Sequence, residues 1–138
     1  MKTCKIVAGV LVAMLLFGCA GAKFQQEKTL LTTVATAMET LTASINQAGT
    51  PQAVTSAVSA FSTEIEKVVP AMKQLSDAHP DWDTNPPAQL KDTMEKFKSA
   101  SSGLQAAMPK LMQMAGQYPD DTDLQNALQK FHSVVDGL

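Results

Sequence analysis

The sequence predicts an all-α protein, an antiparallel up-down-up-down four-helix bundle, and three observations carry that expectation. Apolar residues recur at alternating steps of three and four through four stretches of chain, strand-like alternation is absent, and the stretches are separated by breaks rich in proline, glycine and aspartate. Short connections favour antiparallel neighbours. A chain of 138 residues allows one domain and little more.

The first seam runs Phe24, Leu31, Val34, Met38, Leu41, Ile45 and Ala48. Gly49 then supplies a C-terminal stop, and Thr50-Pro51 supplies a cap followed by proline at the first helical position. The second seam is Val54, Val58, Phe61, Ile65, Val68, Met72 and Leu75, ending near His79. The turn-rich stretch His79-Pro80-Asp81-Trp82-Asp83-Thr84-Asn85-Pro86-Pro87 breaks the chain. The third seam is Leu90, Met94, Phe97, Ser101, Leu104, Met108, Leu111, Ala115 and Tyr118; after Pro119-Asp120-Asp121, Thr122 with Gln125 spells a capping box. Leu124, Leu128, Phe131, Val135 and Leu138 form the fourth. Pro70 and Pro109 fall inside helices two and three, where each removes a backbone hydrogen bond and should kink its helix. Ser101-Ser102-Gly103 is a point at which helix three could divide.

The composition excludes several functions. The chain is 45% apolar and 17% charged, with a net charge of −2, and all its positive charge is lysine because there is no arginine. It cannot build the phosphate-neutralising stripe that nucleic-acid binding needs. It is too apolar and too periodic for a disordered chain. Two cysteines, Cys4 and Cys19, make neither a disulfide framework nor a structural zinc site.

The N-terminus reads as an address. Met1-Lys2-Thr3-Cys4-Lys5 is positive, and Ile6 to Gly18 is apolar without a charge. Thirteen residues of helix cover ~20 Å, short of a ~30 Å hydrocarbon core, so the segment is a signal-peptide core rather than a membrane span. It ends in Leu16-Phe17-Gly18-Cys19, which resembles the lipobox of bacterial lipoproteins: an aliphatic residue three before the cysteine and a small residue just before it. Phe17 is a less usual middle residue. The resemblance implies diacylglycerol on the Cys19 thiol, cleavage before it, and acylation of the new amine by a chain such as palmitate. A thiol is the side chain there nucleophilic enough to take the lipid.

The expected organisation is therefore a signal peptide over residues 1–18, a lipidated tether over 19–23 and a bundle domain over 24–138. The tether before Phe24 spans at most roughly 15 Å, so the domain would stand close to the headgroups. Sorting rules of such lipoproteins, applied to Ala20 after the cysteine, imply an outer membrane, facing the periplasm, in a host that has one. Two or three acyl chains hold a protein far more firmly than one, at ~0.8 kcal/mol per buried methylene.

Helix four is the shortest of the four. At 1.5 Å per residue it spans ~25 Å against ~37 to 46 Å for the others, so it should stop roughly 12 Å or more short of the membrane-proximal end. Three helices would then leave a groove there, lined by Leu30, Leu31, Met72, Leu75, Leu90 and Met94. Either that groove stays open for a partner, an apolar ligand or a lipid surface, or it closes by helix tilt or is filled by Trp82 from the loop.

Four chemistries are legible in the residues. Met38-Glu39-Thr40-Leu41 in helix one and Lys130-Phe131-His132 in helix four resemble the small periplasmic four-helix b-type cytochromes, and the resemblance implies haem b held between Met38 and His132. Both would sit at similar height, although His132 lies ~80° from the middle of its apolar stripe. Covalent haem is excluded, for there is no Cys-x-x-Cys-His. Met108, Met112 and Met114 cluster on helix three, and thioethers suit Cu(I), but Met is also a common filler of helical cores. Asp81, Asp83 and Asn85, with Asp92, carry EF-hand-like spacing, but Pro86 stands where that loop needs glycine, so the acids serve as turn formers and caps. No grouping of nucleophile, base and oxyanion donor, and no glycine-rich phosphate loop, points to an enzyme. What remains is a non-catalytic cell-envelope lipoprotein that binds or scaffolds a protein or apolar-ligand partner through helix-in-groove contacts, with a haem-binding electron carrier as the alternative.

Overall fold

The computed structural model describes residues 24–138; the expected signal peptide over 1–18 and lipidated tether over 19–23 lie outside the described residues. Four helices form: α1 (Gln25–Gln47), α2 (Pro51–Ala78), α3 (Lys91–Gln117) and α4 (Thr122–Val135), with a 3₁₀ turn at Ala88–Leu90 leading into α3. No strand occurs among the described residues.

The directions alternate. A short link at 48–50 turns α1 into α2, and Trp82, in the loop after α2, meets Phe24 at the start of α1, so α2 returns to the level where α1 began. The Lys96 ammonium lies 3.7 Å from the Glu39 carboxylate, Gly103 faces the Thr42 methyl and Lys110 reaches the Asn46 carbonyl, so α3 rises alongside α1. Phe61 meets Phe131 and Val69 meets Gly137, so α4 descends alongside α2. The closest packings are α1 with α3, α2 with α4, and α1 with α2. The third helix therefore docks on the first, its parallel partner, and barely touches the second. Small side chains make this close approach possible: Ala35 on α1, and Ala100, Gly103 and Ala107 on α3, leave little bulk between the axes.

Most seam residues are inside. Leu41, Ile45, Val54, Val58, Ile65, Leu90, Leu111 and Leu124 are essentially fully buried, and fully burying such a side chain contributes ~1.5–3 kcal/mol. Phe61 and Phe131 pack with ring centroids 5.6 Å apart, joining α2 to α4. Buried Ser62 donates its hydroxyl to the Val58 carbonyl at 2.9 Å, so it carries no unsatisfied group into the core.

Four local expectations need correction. Tyr118 is exposed, because it stands at the C-cap of α3, beyond the last turn that the neighbouring helices cover. On α4 the buried residue is Val134 and Val135 is exposed; the stripe Leu124, Leu128, Phe131, Val134 drifts back as 3.6 residues per turn requires. The helix-four cap is Asp121, whose carboxylate accepts from the Leu124 N–H at 3.0 Å. A carboxylate is a stronger acceptor than the Thr122 hydroxyl beside this positive helix end, and Gln125 is left to donate back to the Ala115 and Tyr118 carbonyls. α3 runs unbroken through Ser101-Ser102-Gly103, where its contact with α1 supports it. The Thr50 cap forms as expected, its hydroxyl accepting from Ala53 N–H with Pro51 opening the helix. Both α2 and α3 continue through their prolines, Pro70 and Pro109.

Candidate functional site

The end of the bundle where α1 begins is built as the helix lengths require. α4 stops beside Val69, nine residues before the end of α2, so that end has three helices and a vacancy of about 13 Å. The loop from His79 to Pro87 fills it. Trp82 folds inward to 9% exposure; the His79 ring stacks on it at 3.8 Å between centroids and 8° between planes, and Phe24 meets it edge-on at 5.2 Å. The loop is pinned from outside by Lys98, whose ammonium donates to the Asp83 carbonyl oxygen at 2.5 Å.

The six groove residues are thereby covered. Leu31, Met72, Leu90 and Met94 are buried in the core and Leu30 and Leu75 are half-buried against it. They belong to the core or pack against it and do not stand exposed as the walls of an open apolar channel. An aromatic side chain of large apolar area has a stronger drive to enter such a gap than water has, and Trp82 lies within reach on a nine-residue loop.

The structure does not bring the haem pair together. Met38 is buried in the core on α1, whereas the His132 side chain is exposed on α4, edge-on to Phe131. α4 packs chiefly on α2, and the two side chains face different surroundings. The residues present do not fit an axial pair. Met108 and Met114 are half-buried and Met112 is 53% exposed, so the three thioethers do not share one environment. The loop is held by its backbone, the Asp81 main-chain carbonyl accepting from the Thr84 and Asn85 N–H groups, and the exposed Asp83 carboxylate lies 3.7 Å from Lys98. Among the described residues no three histidine, cysteine, aspartate or glutamate side chains come close enough to hold a metal ion.

Two clefts lie over α1 and α2. The larger, about 410 Å³, is lined by Gln25, Lys28, Thr29, Thr32, Thr33, Thr36 and Glu64; the smaller, about 160 Å³, by Ala37, Thr40, Leu41, Ser44, Ala57, Ala60, Phe61 and Glu64. The threonine spacing in α1 is visible in the sequence, but it spells no binding motif. Thr29 and Thr33 turn their hydroxyls back to the carbonyls four residues earlier, at 2.8 and 2.9 Å, so their donors are already used. The larger cleft can offer Lys28, Glu64 and threonine oxygens to a polar molecule, all of it open to water. The cluster of Phe24, His79 and Trp82 is the feature that periodicity could not show; its only signal was a lone tryptophan set among prolines and aspartates. Comparison with protein-family models, curated protein sequences and solved structures finds no match to this chain.

Proposed function

We propose that the chain is a lipid-anchored cell-envelope lipoprotein whose helical bundle has a non-catalytic binding or scaffolding role. The observation that carries the reading is the Leu16-Phe17-Gly18-Cys19 sequence at the end of a charge-free apolar segment. α1 begins at Gln25, six residues beyond Cys19, which leaves a short tether and sets the Trp82 end of the bundle next to the headgroups. No helix among the described residues is long and apolar enough to cross a membrane, so attachment would rest on the acyl chains. With the Trp82 end filled, recognition belongs to the outer faces of the helices and not to an internal apolar channel.

Metabolic labelling with an alkyne-bearing palmitate tests the anchor. The wild-type chain should incorporate label and pellet with membranes, in the outer-membrane fraction where the host has one. Cys19→Ser should lose the label and accumulate as precursor. Unchanged processing and membrane recovery of Cys19→Ser would overturn the anchor. The binding role is tested separately by photo-crosslinking side chains placed around the bundle: discrete, position-dependent adducts support it, and their absence at every position on all four helices would overturn it.

A further inference from the structure

The second helix changes character at Pro70. Over the nineteen residues 51–69, six side chains are buried: Pro51, Val54, Val58, Phe61, Ser62 and Ile65. Over the nineteen residues 71–89, which finish α2 and form the loop, only Met72 and Trp82 are buried. Two causes meet at this level. α4 stops beside Val69, so the chain beyond it loses a neighbour on one side. Pro70 has no N–H, so the bond that residue 70 would donate to the Glu66 carbonyl is missing where the support ends.

The segment beyond Pro70 has its own internal structure. His79 stacks on Trp82, and the Asp81 carbonyl accepts from the Thr84 and Asn85 N–H groups. Lys98 of α3 and Phe24 at the start of α1 reach it from the rest of the bundle. Phe24 is an unusual tie. Among the described residues it is the one non-glycine residue with a positive φ, 69°. A residue with a β carbon is crowded in that region, and such a conformation persists where its surroundings hold it. Here the ring is seated edge-on against Trp82 at 5.2 Å.

We propose that residues 71–87 form a flap that opens about Pro70 as one unit, with Phe24 and Trp82 as its catch. Closed, Trp82 fills the three-helix end and the bundle offers only its outer faces. Open, Trp82 and Met72 leave the core and that end becomes an apolar opening. Few buried side chains and an interrupted backbone ladder are the features of a segment that opens below the free energy of global unfolding. The far end of the flap is Pro86-Pro87, where extended backbone at Pro87 precedes the 3₁₀ turn into α3. The flap is built from residues of the bundle alone and does not depend on the lipid anchor.

Residue-resolved amide hydrogen exchange on the full chain tests it. The amides of residues 72–79 should share one protection factor, at least about a hundred-fold below that of residues 58–69 on the same helix, with the step at Pro70. A smooth gradient rising toward Ala78 would be ordinary fraying of a helix end and would overturn the flap, as would equal protection on the two sides of Pro70. Phe24→Ala should speed exchange over 72–79 about five-fold, as the loss of one aromatic pair implies, and leave 58–69 unchanged. No change, or equal acceleration of both stretches, would overturn the catch. Pro70→Ala restores the missing donor and should slow exchange over 72–79 several-fold; unchanged rates would overturn Pro70 as the hinge.

Discussion

Leu111 and Met112 are adjacent in sequence and opposite in environment, which makes them a sharp test of the phase of α3 after Pro109. Leu111 is fully buried and Met112 is 53% exposed. Replacing Leu111 with alanine removes apolar area from the core and leaves a cavity, an expected loss of ~2–5 kcal/mol, with ~3 as the central value. For the 115 residues of the bundle the unfolding entropy is ~240 cal/mol/K, at about 2.1 cal/mol/K per residue, so ~3 kcal/mol lowers Tm by about 12 °C. Met112→Ala removes a side chain that is largely in water, and a surface change of this kind stays within ~0.5 kcal/mol, or about 2 °C. Thermal unfolding followed by circular dichroism at 222 nm separates the two. Equal losses, or a larger loss at Met112, would mean that the helix is rotated beyond Pro109.

Asp121→Ala should cost about 1 kcal/mol in urea unfolding, because it leaves the Leu124 N–H without its acceptor at a helix start; an unchanged midpoint would assign the cap to Thr122. Pro109→Ala should raise stability by about 1 kcal/mol, since Pro109 is exposed and its replacement restores a backbone donor, and a fall would show that α3 needs the proline's geometry to seat on α1. Lys130→Gln breaks an ion pair whose members are 45% and 57% exposed, so unfolding should shift by no more than ~0.5 kcal/mol. Phe24→Ala should shift the emission of the lone tryptophan to the red and raise its quenching by acrylamide, by stripping one ring from Trp82; unchanged emission would separate Phe24 from the aromatic cluster.

The helices were legible because each one buries a stripe of the period that an α-helix imposes, and Leu31 to Ile45 on α1 shows the pattern without a break. The early end of α4 was legible too, since it follows from counting residues. The pairing of the helices was not. Alternating directions allow α3 to sit beside either α1 or α2, and the choice is made by Ala100, Gly103 and Ala107, small residues that a search for large apolar side chains ignores. The filling of the three-helix end was open for a different reason: a residue in an irregular loop has no period to fix its direction, so Trp82 had two destinations. The haem pairing failed on rotation rather than height. His132 is one residue beyond Phe131, and that single step of 100° carries it out of the core.

The docking of α3 on α1 bears on how the chain assembles. Lys110 and Asn46 are 64 residues apart in sequence, and the α2–α4 ring contact joins Phe61 to Phe131 across a similar distance. Only the α1–α2 hairpin can gather itself from local contacts; each later helix must find a partner laid down two helices before. Loop-closure entropy delays such long-range meetings, so the first hairpin would wait, with Leu41, Ile45, Val58 and Ile65 bare on one side, until the last third of the chain arrives. An unfolded chain exposes that apolar stripe to water and to other chains for the whole of the interval.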